Sequence, residues 1–150
     1  MPSVRTNAAM TIAYPSDFAI ARIAGGVLDC TLPKAEWTHA GHFAAALWLL
    51  RHRSGFDGAR DMPAIIRAYN EATDTDTSGY HHTITLASLD VAATALAATP
   101  HAPLHVILDT LLAGPHGRSD WLLVHWRRET LFSVLARRHW LDPDLAPFRR

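Results

Sequence analysis

Two histidines open a predicted helix in the segment EWTHAGHFAAALWLLRH, residues 36–52. His39 and His42 are three residues apart and stand just ahead of an apolar run, so both lie on or beside the inward face of that helix. A later predicted helix also begins with a histidine, His81, in the segment SGYHHTITLASL. If the two helix ends meet at one rim of the fold, the side chains of His39, His42 and His81 can converge.

Three converging imidazoles would form a metal site, because imidazole is the commonest protein ligand for divalent transition metals such as Zn, Fe, Cu and Ni. A helix can supply two ligands at a spacing of three or four residues, and three protein ligands that leave one position open are typical of a catalytic site. Glu36 lies one turn before His39, and Glu71 precedes the loop that leads to His81. We therefore expect Glu36 or Glu71 to act as a fourth ligand or as a general base.

Four further polar side chains are predicted near the same rim: Tyr69, Asn70, Tyr80 and Thr85. Polar groups at the inner end of a helix need hydrogen-bond partners. These four are therefore candidates for binding a small-molecule substrate or for orienting the histidines. Ordinary helix capping and hydrogen bonds to the preceding turn are the alternative. His82 lies off the inner strip of its helix, so it is a weaker ligand candidate than its neighbour.

The rest of the sequence predicts the elements that position these residues. Alanine and leucine are abundant, β-branched residues are few, and apolar residues recur with helical spacing. We predict an all-α bundle of five to seven helices in a single domain, residues 1–150, with a flexible N-terminus at 1–15 and an extended tail at 141–150. The helix between the two histidine-bearing ones can return the chain, so those two are expected to run parallel.

Helix boundaries follow from caps and breakers. Ser16, Thr38 and Asp61 are the predicted N-caps of the first three helices, because their side-chain oxygens can accept a hydrogen bond from an unpaired amide of the first turn. A fourth helix is predicted over about 80–98, followed by a fifth in the segment PLHVILDTLLAG. A last helical region is expected at 119–140, with a break inside it.

The charge balance argues against two classes of partner. The chain carries 14 Lys and Arg against 14 Asp and Glu, so it has no net charge that would attract nucleic acid or an anionic membrane.

No apolar run reaches the roughly 20 residues that a membrane-spanning helix needs, and the N-terminus lacks a secretory signal. The single cysteine, Cys30, cannot form an internal disulfide. We expect a cytoplasmic protein that binds a small molecule, with a homodimer left open.

The segments WTHAGHFAAALWLL, IIRAYNEA, GYHHTITL and LFSVLARRHWLDPDLAPF resemble a group of uncharacterised small bacterial helical proteins. That group has an aromatic-T/N-H-x-x-H opening, a YN helix, a GYH-x-T-x-T helix and a PDL tail. The resemblance covers about residues 30–148 and implies that His39, His42 and His81 belong together, but it implies no activity. A looser resemblance is to DinB-like bundles, which hold a metal with three histidines. The histidine spacing differs from theirs, so this likeness concerns the fold alone.

Three functions remain open. The first, which we predict, is a metal-dependent enzyme, a hydrolase or an oxygenase, that acts on a small molecule through an ion held by His39, His42 and His81. The second is a metal-free small-molecule-binding protein, and the third is a helical interaction module whose histidines are structural. The C-terminal arginines are expected to form a solvated face. We expect the remaining histidines to lie at the surface or to be capped in the core: His52, His101, His105, His116, His125 and His139.

Overall fold

The computed structural model describes residues 14–75 and 79–150, and within these ranges every regular element is a helix. Seven α-helices follow one another as α1 (Asp17–Leu28), α2 (His39–His52), α3 (Gly58–Ala72), α4 (His82–Ala98), α5 (Leu104–Ala113), α6 (Arg128–Leu131) and α7 (Val134–Arg138). Short 3₁₀ helices lie in the connections, at Lys34–Glu36, Pro115–Gly117 and Trp121–Val124. The prediction of an all-α, single-domain bundle of five to seven helices is confirmed. None of the helices described is both long and apolar enough to cross a membrane.

The core is organised around α2. Helices α1, α4 and α5 all pack against it, and its side chains Phe43, Leu47 and Leu49 are almost fully buried. Three consecutive alanines beside them, residues 44–46, are buried too and let the neighbouring helices approach closely. Burying each of the large side chains contributes about 1.5–3 kcal/mol. Helix α2 is therefore the element on which the other helices are positioned.

Helices α2 and α4 run in the same direction, as the sequence predicts. Near the C-terminal end of α2, the guanidinium of Arg51 donates to the carbonyl oxygens of Ala102 at 2.6 Å and Pro100 at 3.2 Å, just after α4 ends. At the other end of the bundle, the Tyr69 hydroxyl of α3 donates to the carbonyl oxygen of Leu32, in the loop before α2, at 2.7 Å. Helix α3 thus returns the chain, and α2 and α4 both begin at the same end.

Two of the three predicted N-caps are confirmed, since Ser16 and Thr38 each accept the amide hydrogen three residues on, at 3.2 and 3.1 Å. The prediction that α3 is capped by Asp61 is wrong. Its N-cap is Asp57, whose carboxylate accepts an amide of the first turn at 2.8 Å, while the Asp61 carboxylate accepts the Asp57 amide at 2.8 Å. This reciprocal pairing satisfies two amides. It starts the helix one turn earlier, although Pro63 then lies inside it.

Two later boundaries also differ from the prediction. Helix α4 begins at His82 and not at Tyr80, because His81 is its N-cap. The region 119–140 contains no single helix but the 3₁₀ helix Trp121–Val124 followed by α6 and α7. These short pieces bend the chain back across the bundle.

The tail beyond α7 is not helical, yet it packs on the bundle. The amides of Leu145 and Ala146 both donate to the carbonyl oxygen of His125, at 2.9 and 3.2 Å. Phe148 packs against Trp126 with ring centroids 5.5 Å apart. Since Trp126 is fully buried, the tail is fixed to the core by aromatic packing as well as by hydrogen bonds.

Candidate functional site

The N-terminal ends of α2 and α4 carry the histidines that the sequence marks for chemistry. We call this region the histidine end, and it comprises His39, His42, His81 and His82. The Nε2 atom of His39 lies 2.8 Å from the carbonyl oxygen of His116. Because a carbonyl oxygen only accepts, Nε2 carries a hydrogen in this bond, and Nδ1 of His39 forms no hydrogen bond to another described residue.

His42 has a different environment from His39. Its ring stacks on Trp37 with centroids 3.8 Å apart, and neither ring nitrogen is hydrogen-bonded to another residue in the described part of the chain. His42 is nevertheless an exposed residue. The protein atoms packed around the ring lower the pKa of His42 to about 4, first by desolvation and second through the charge of His39. His42 is therefore neutral at pH 7, which is the form that binds a metal.

His81 forms hydrogen bonds that stabilise the fold. It caps α4, because its Nδ1 atom accepts the amide hydrogen of Ile84 at 3.2 Å. Its Nε2 atom lies 2.6 Å from the carbonyl oxygen of Leu131 and donates to it. Burial lowers the pKa of His81, which keeps the ring neutral with its single hydrogen on Nε2. Both nitrogens are used within the protein, so His81 has no lone pair left for a metal.

The expected convergence of three histidines is not what the described residues form. The ring of His81 bonds to α6, whereas that of His39 bonds to the segment after α5. Within residues 14–75 and 79–150, no three His, Cys, Asp or Glu side chains are grouped so that they could hold one ion. In this structure His81 serves as a helix cap, and metal binding by His39, His42 and His81 stays a prediction.

The two carboxylates expected to assist catalysis lie in ordinary surface environments. Both oxygens of Glu36 accept hydrogen bonds from the guanidinium of Arg22, at 2.6 and 3.0 Å. This pairing holds the pKa of Glu36 below its usual value, which makes the carboxylate a weaker base. Glu71 is exposed on α3. Glu36 is thus engaged in an ion pair and Glu71 is exposed, and their roles in catalysis stay predictions.

Two of the four polar residues predicted to bind a ligand lie at the start of α4. The Tyr80 hydroxyl is 2.8 Å from Nδ1 of His82, and the guanidinium of Arg67 lies over the Tyr80 ring, 4.4 Å from its centroid. The Thr85 hydroxyl donates to the carbonyl oxygen of His81 at 2.8 Å. These contacts close the first turn of α4, which is the capping role that the sequence left open as the alternative.

The other two predicted ligand-binding residues, Tyr69 and Asn70, are buried on α3. The Tyr69 hydroxyl donates its hydrogen to the carbonyl oxygen of Leu32, in the loop before α2. Burial raises the pKa of Tyr69. The backbone carbonyl oxygen of Asn70 accepts the amide hydrogen of Thr75 at 2.8 Å. Both residues therefore tie the C-terminal end of α3 to the loops that precede the two histidine-bearing helices.

A separate open groove lies between α4 and α5, and we call it the α4–α5 groove. Both helices pack on α2 and much less on each other, so the space between them stays open, with a volume of about 810 Å³. Small-molecule sites in proteins have volumes of roughly 300–1,000 Å³. The walls are mainly aliphatic, with Val91, Ala95 and Ala98 from α4 and Val106, Ile107 and Leu111 from α5.

The threonines that line the groove use their hydroxyl hydrogens within their own helices. Thr94, Thr99 and Thr110 each donate to the carbonyl oxygen four residues earlier, at 2.9, 3.3 and 3.0 Å. Such a hydroxyl can still accept a hydrogen bond from a ligand, but it has no hydrogen left to donate. These side chains therefore present methyl groups and acceptors to the groove.

The last four residues of the tail form the third wall of the groove. Nδ1 of His125 lies 2.8 Å from the carbonyl oxygen of Pro147, and Arg150 pairs with Asp90 of α4 at 2.8 Å. Arg149 also lines the groove and is exposed, but it forms no ion pair with any described residue. The tail is thus fixed on both sides of an arginine whose five N–H groups remain available.

Trp121 lies behind this wall. Its ring contacts those of His116, His125 and Phe148 at centroid distances of 4.8, 6.3 and 5.9 Å. Among the described side chains, its indole Nε1–H is the buried polar group without a hydrogen-bond partner. Such a group costs about 1–3 kcal/mol. The packing of the surrounding rings must outweigh that cost, so Trp121 acts as an apolar support for the tail.

The sequence patterns did not predict the groove. His116, His125 and Arg149 were expected at the surface or in capped positions, and the structure places all three on the groove walls. One sequence signal could have indicated the groove. The segment VAATALAAT, residues 91–99, forms one of its walls and has no charged residue. A helix segment that lacks a charged face has no side suited to free exposure. It therefore predicts a second contact surface beside the one that packs on the core.

No identity follows from comparison with known proteins. No protein-family model matches this chain, and neither the curated proteins nor the solved structures contain a match to it.

Proposed function

We propose that this protein binds a small apolar molecule, without a metal, in the α4–α5 groove. The observation that supports the proposal is an open volume of about 810 Å³ with aliphatic walls. Removing apolar surface from water contributes about 25 cal/mol per Å², so an exposed aliphatic groove favours a ligand that covers it. The described groove residues offer no nucleophile paired with a base. Binding is therefore the activity that the groove supports best.

The groove is formed by elements that are already in place. Helices α4 and α5 are held on α2, and the Arg150–Asp90 ion pair and the His125–Pro147 hydrogen bond hold the tail wall. A preformed site loses little conformational entropy when it binds a ligand. This favours a ligand that enters an existing space over one that must order the chain around itself.

The test uses N-phenyl-1-naphthylamine, a neutral dye whose fluorescence rises in apolar surroundings. We expect saturable binding with one site per chain. Ala98→Trp should fill the groove and weaken binding by about tenfold or more, because Ala98 is exposed on its wall. Ala97→Trp is the matched control: Ala97 is exposed on the same helix but does not line the groove.

The two tryptophan variants must also have similar melting temperatures, so that partial unfolding does not imitate binding. No saturable binding by the wild-type protein would refute the proposal. Equal losses in Ala98→Trp and Ala97→Trp would place the dye elsewhere on the surface and would refute it too.

A metal-dependent enzyme is the second candidate, and the neutral His42 beside His39 with its free Nδ1 favours it. Elemental analysis of protein purified without a His-tag, followed by calorimetric titration with Zn²⁺, tests it. One ion per chain that is lost in His42→Gln but retained in the control His101→Gln, at an exposed position, would favour this candidate. Absence of a stoichiometric ion in both measurements would remove it.

A further inference from the structure

We propose that the α4–α5 groove selects aliphatic carboxylates, with the carboxylate bound by Arg149 and the hydrocarbon chain lying between α4 and α5. This inference rests on the proposed function, since it names the ligand class of the same groove. It depends on three observations: which hydrogen-bond donors the groove has left to offer, how its charges are already paired, and which side chains form its walls.

The donors are few. Thr94, Thr99 and Thr110 all donate to carbonyl oxygens of their own helices. The His125 ring lies against the Pro147 carbonyl oxygen and must donate its Nδ1 hydrogen to it, because the carbonyl oxygen can only accept. A sugar or a nucleoside carries several hydroxyl and amide groups, each of which would need a partner here. The groove therefore suits a ligand with few polar groups on an apolar body.

The charge pattern gives that polar group its sign. Arg150 is paired with Asp90 at 2.8 Å, so these two groups neutralise each other. Arg149 lines the same groove and has no carboxylate partner in the described part of the chain. A guanidinium presents a planar pair of N–H groups that matches a carboxylate in a bidentate arrangement. A carboxylate is therefore the group that completes the charge pairing of the groove.

The shape of the walls gives the apolar part of the ligand. On α4 the wall consists of small residues, Ala95 and Ala98, and on α5 of branched ones, Val106, Ile107 and Leu111. Small side chains facing branched ones make these two walls purely aliphatic, whereas the rings of His116, His125 and Phe148 lie on the remaining walls of the groove. An unbranched or lightly branched aliphatic chain fits such a channel best.

Three ligands with the same alkyl chain and different head groups test the proposal: decanoate, decanol and decyltrimethylammonium, each below its micelle concentration. Each is titrated as a competitor of N-phenyl-1-naphthylamine. Wild-type protein should bind decanoate about fivefold more tightly than decanol, the size expected of one partly exposed ion pair, and should bind decyltrimethylammonium least. The preference for decanoate should decrease when NaCl is raised to about 1 M, where the screening length falls to about 3 Å.

Variants of Arg149 test whether this residue causes the preference for decanoate. Arg149→Gln should abolish the preference for decanoate and leave decanol binding unchanged, while Arg149→Lys should retain part of it. Arg138→Gln is the matched control, because Arg138 is an exposed arginine near the C-terminus that does not line the groove. Arg149 lies on the exposed tail, so none of these changes should alter the fold, and equal melting temperatures check this.

The outcomes separate the ligand class from the function. If decanol binds as tightly as decanoate, or if Arg149→Gln keeps the preference, the carboxylate class is wrong while small-molecule binding stands. If neither the dye nor any of the three ligands binds the wild-type protein, both the class and the proposed function are refuted.

Discussion

The histidine end and the α4–α5 groove differ in how much of their polar chemistry is still available. At the histidine end, polar groups are dense but largely bonded to one another, since His81 uses both ring nitrogens and Glu36 is paired with Arg22. In the groove most polar groups are bonded within the protein as well, yet Arg149 forms no hydrogen bond or ion pair with any described residue. A concentration of reactive residue types is therefore not a concentration of available ones. Availability depends on which hydrogen bonds the fold has already made.

The largest effect that would sharpen this comparison is expected at His81. In His81→Ala, α4 loses its cap and the carbonyl oxygen of Leu131 loses its donor. Loss of a cap costs about 1 kcal/mol, and a buried group left without a partner costs about 1–3 kcal/mol. We expect the free energy of unfolding to fall by about 2–4 kcal/mol, measured by urea denaturation.

Two control variants show how much of this loss comes from each hydrogen bond of His81. His81→Asn can keep the cap but cannot reach Leu131 in the same way, so its loss should be the smaller one. His82→Ala removes the neighbouring, partly exposed histidine and should cost less still. A loss below about 0.5 kcal/mol in His81→Ala, the range of ordinary surface substitutions, would show that these hydrogen bonds contribute little to stability and would contradict the structural role of His81.

The second largest effect contrasts two tryptophans on the side of the groove. Trp126 Nε1 donates to the carbonyl oxygen of Leu141 at 3.0 Å, whereas the Nε1–H of Trp121 has no partner among the described residues. Both rings are buried, so replacement by phenylalanine costs similar packing in each. Trp126→Phe should therefore lower the free energy of unfolding by about 1–2 kcal/mol more than Trp121→Phe. Equal losses in urea denaturation would mean that the Trp121 donor is satisfied in solution.

A third, smaller effect compares a threonine from each region. Thr38→Ala removes the cap that accepts the Gly41 amide at 3.1 Å, and we expect a loss of about 1 kcal/mol. Thr94→Ala removes only a hydroxyl that bonds back to its own helix, so its effect should stay within about 0.5 kcal/mol. Denaturation midpoints of the two variants decide the matter. Equal midpoints would show that Thr38 contributes no more than a back-bonded threonine.

The sequence predicted local features well and long-range ones poorly, for a physical reason. Caps such as Ser16 and Thr38 bond to amides three residues away, so the pattern and the contact lie in the same short segment. The partner of His81, by contrast, is the carbonyl oxygen of Leu131, 50 residues later. No periodicity can specify that pairing, because a backbone carbonyl is present at every position. The sequence thus indicated the all-α fold and the parallel α2 and α4, but it could not show that His81 was already occupied.

The groove escaped prediction for a related reason. Its walls come from α4, α5 and the tail, which are joined only through the way each packs on other elements. The tail was expected to be extended, and its lack of helix follows from its prolines, Pro143 and Pro147. Its attachment through Phe148 and the Arg150–Asp90 pair depends on side chains far away in sequence. A groove is a property of such packing, so composition could indicate a second contact surface but not its shape.

The last effect concerns the dependence of stability on pH at the histidine end. The pKa of His42 is lowered from 6.5 to about 4, first by desolvation and second by the charge of His39. The unfolded chain therefore binds a proton at His42 more readily than the folded one. Above pH 6.5 neither state is protonated there, and as the pH falls from 6.5 towards 4 the unfolded state gains the proton first. Stability should decrease over that window.

We expect the melting temperature of the wild-type protein to fall between pH 7 and pH 5, and to fall less steeply in His42→Gln, which has no group to titrate. His101→Gln provides the matched control, since His101 is exposed after α4 and its replacement should leave the slope unchanged. If the melting temperature depends on pH with the same slope in wild type and His42→Gln, water around the exposed His42 ring stabilises the imidazolium as well as bulk solvent does. His42 would then titrate as an ordinary surface histidine. The difference between the histidine end and the α4–α5 groove would then narrow below about pH 6.5, because both regions would hold a cation that is open to a ligand.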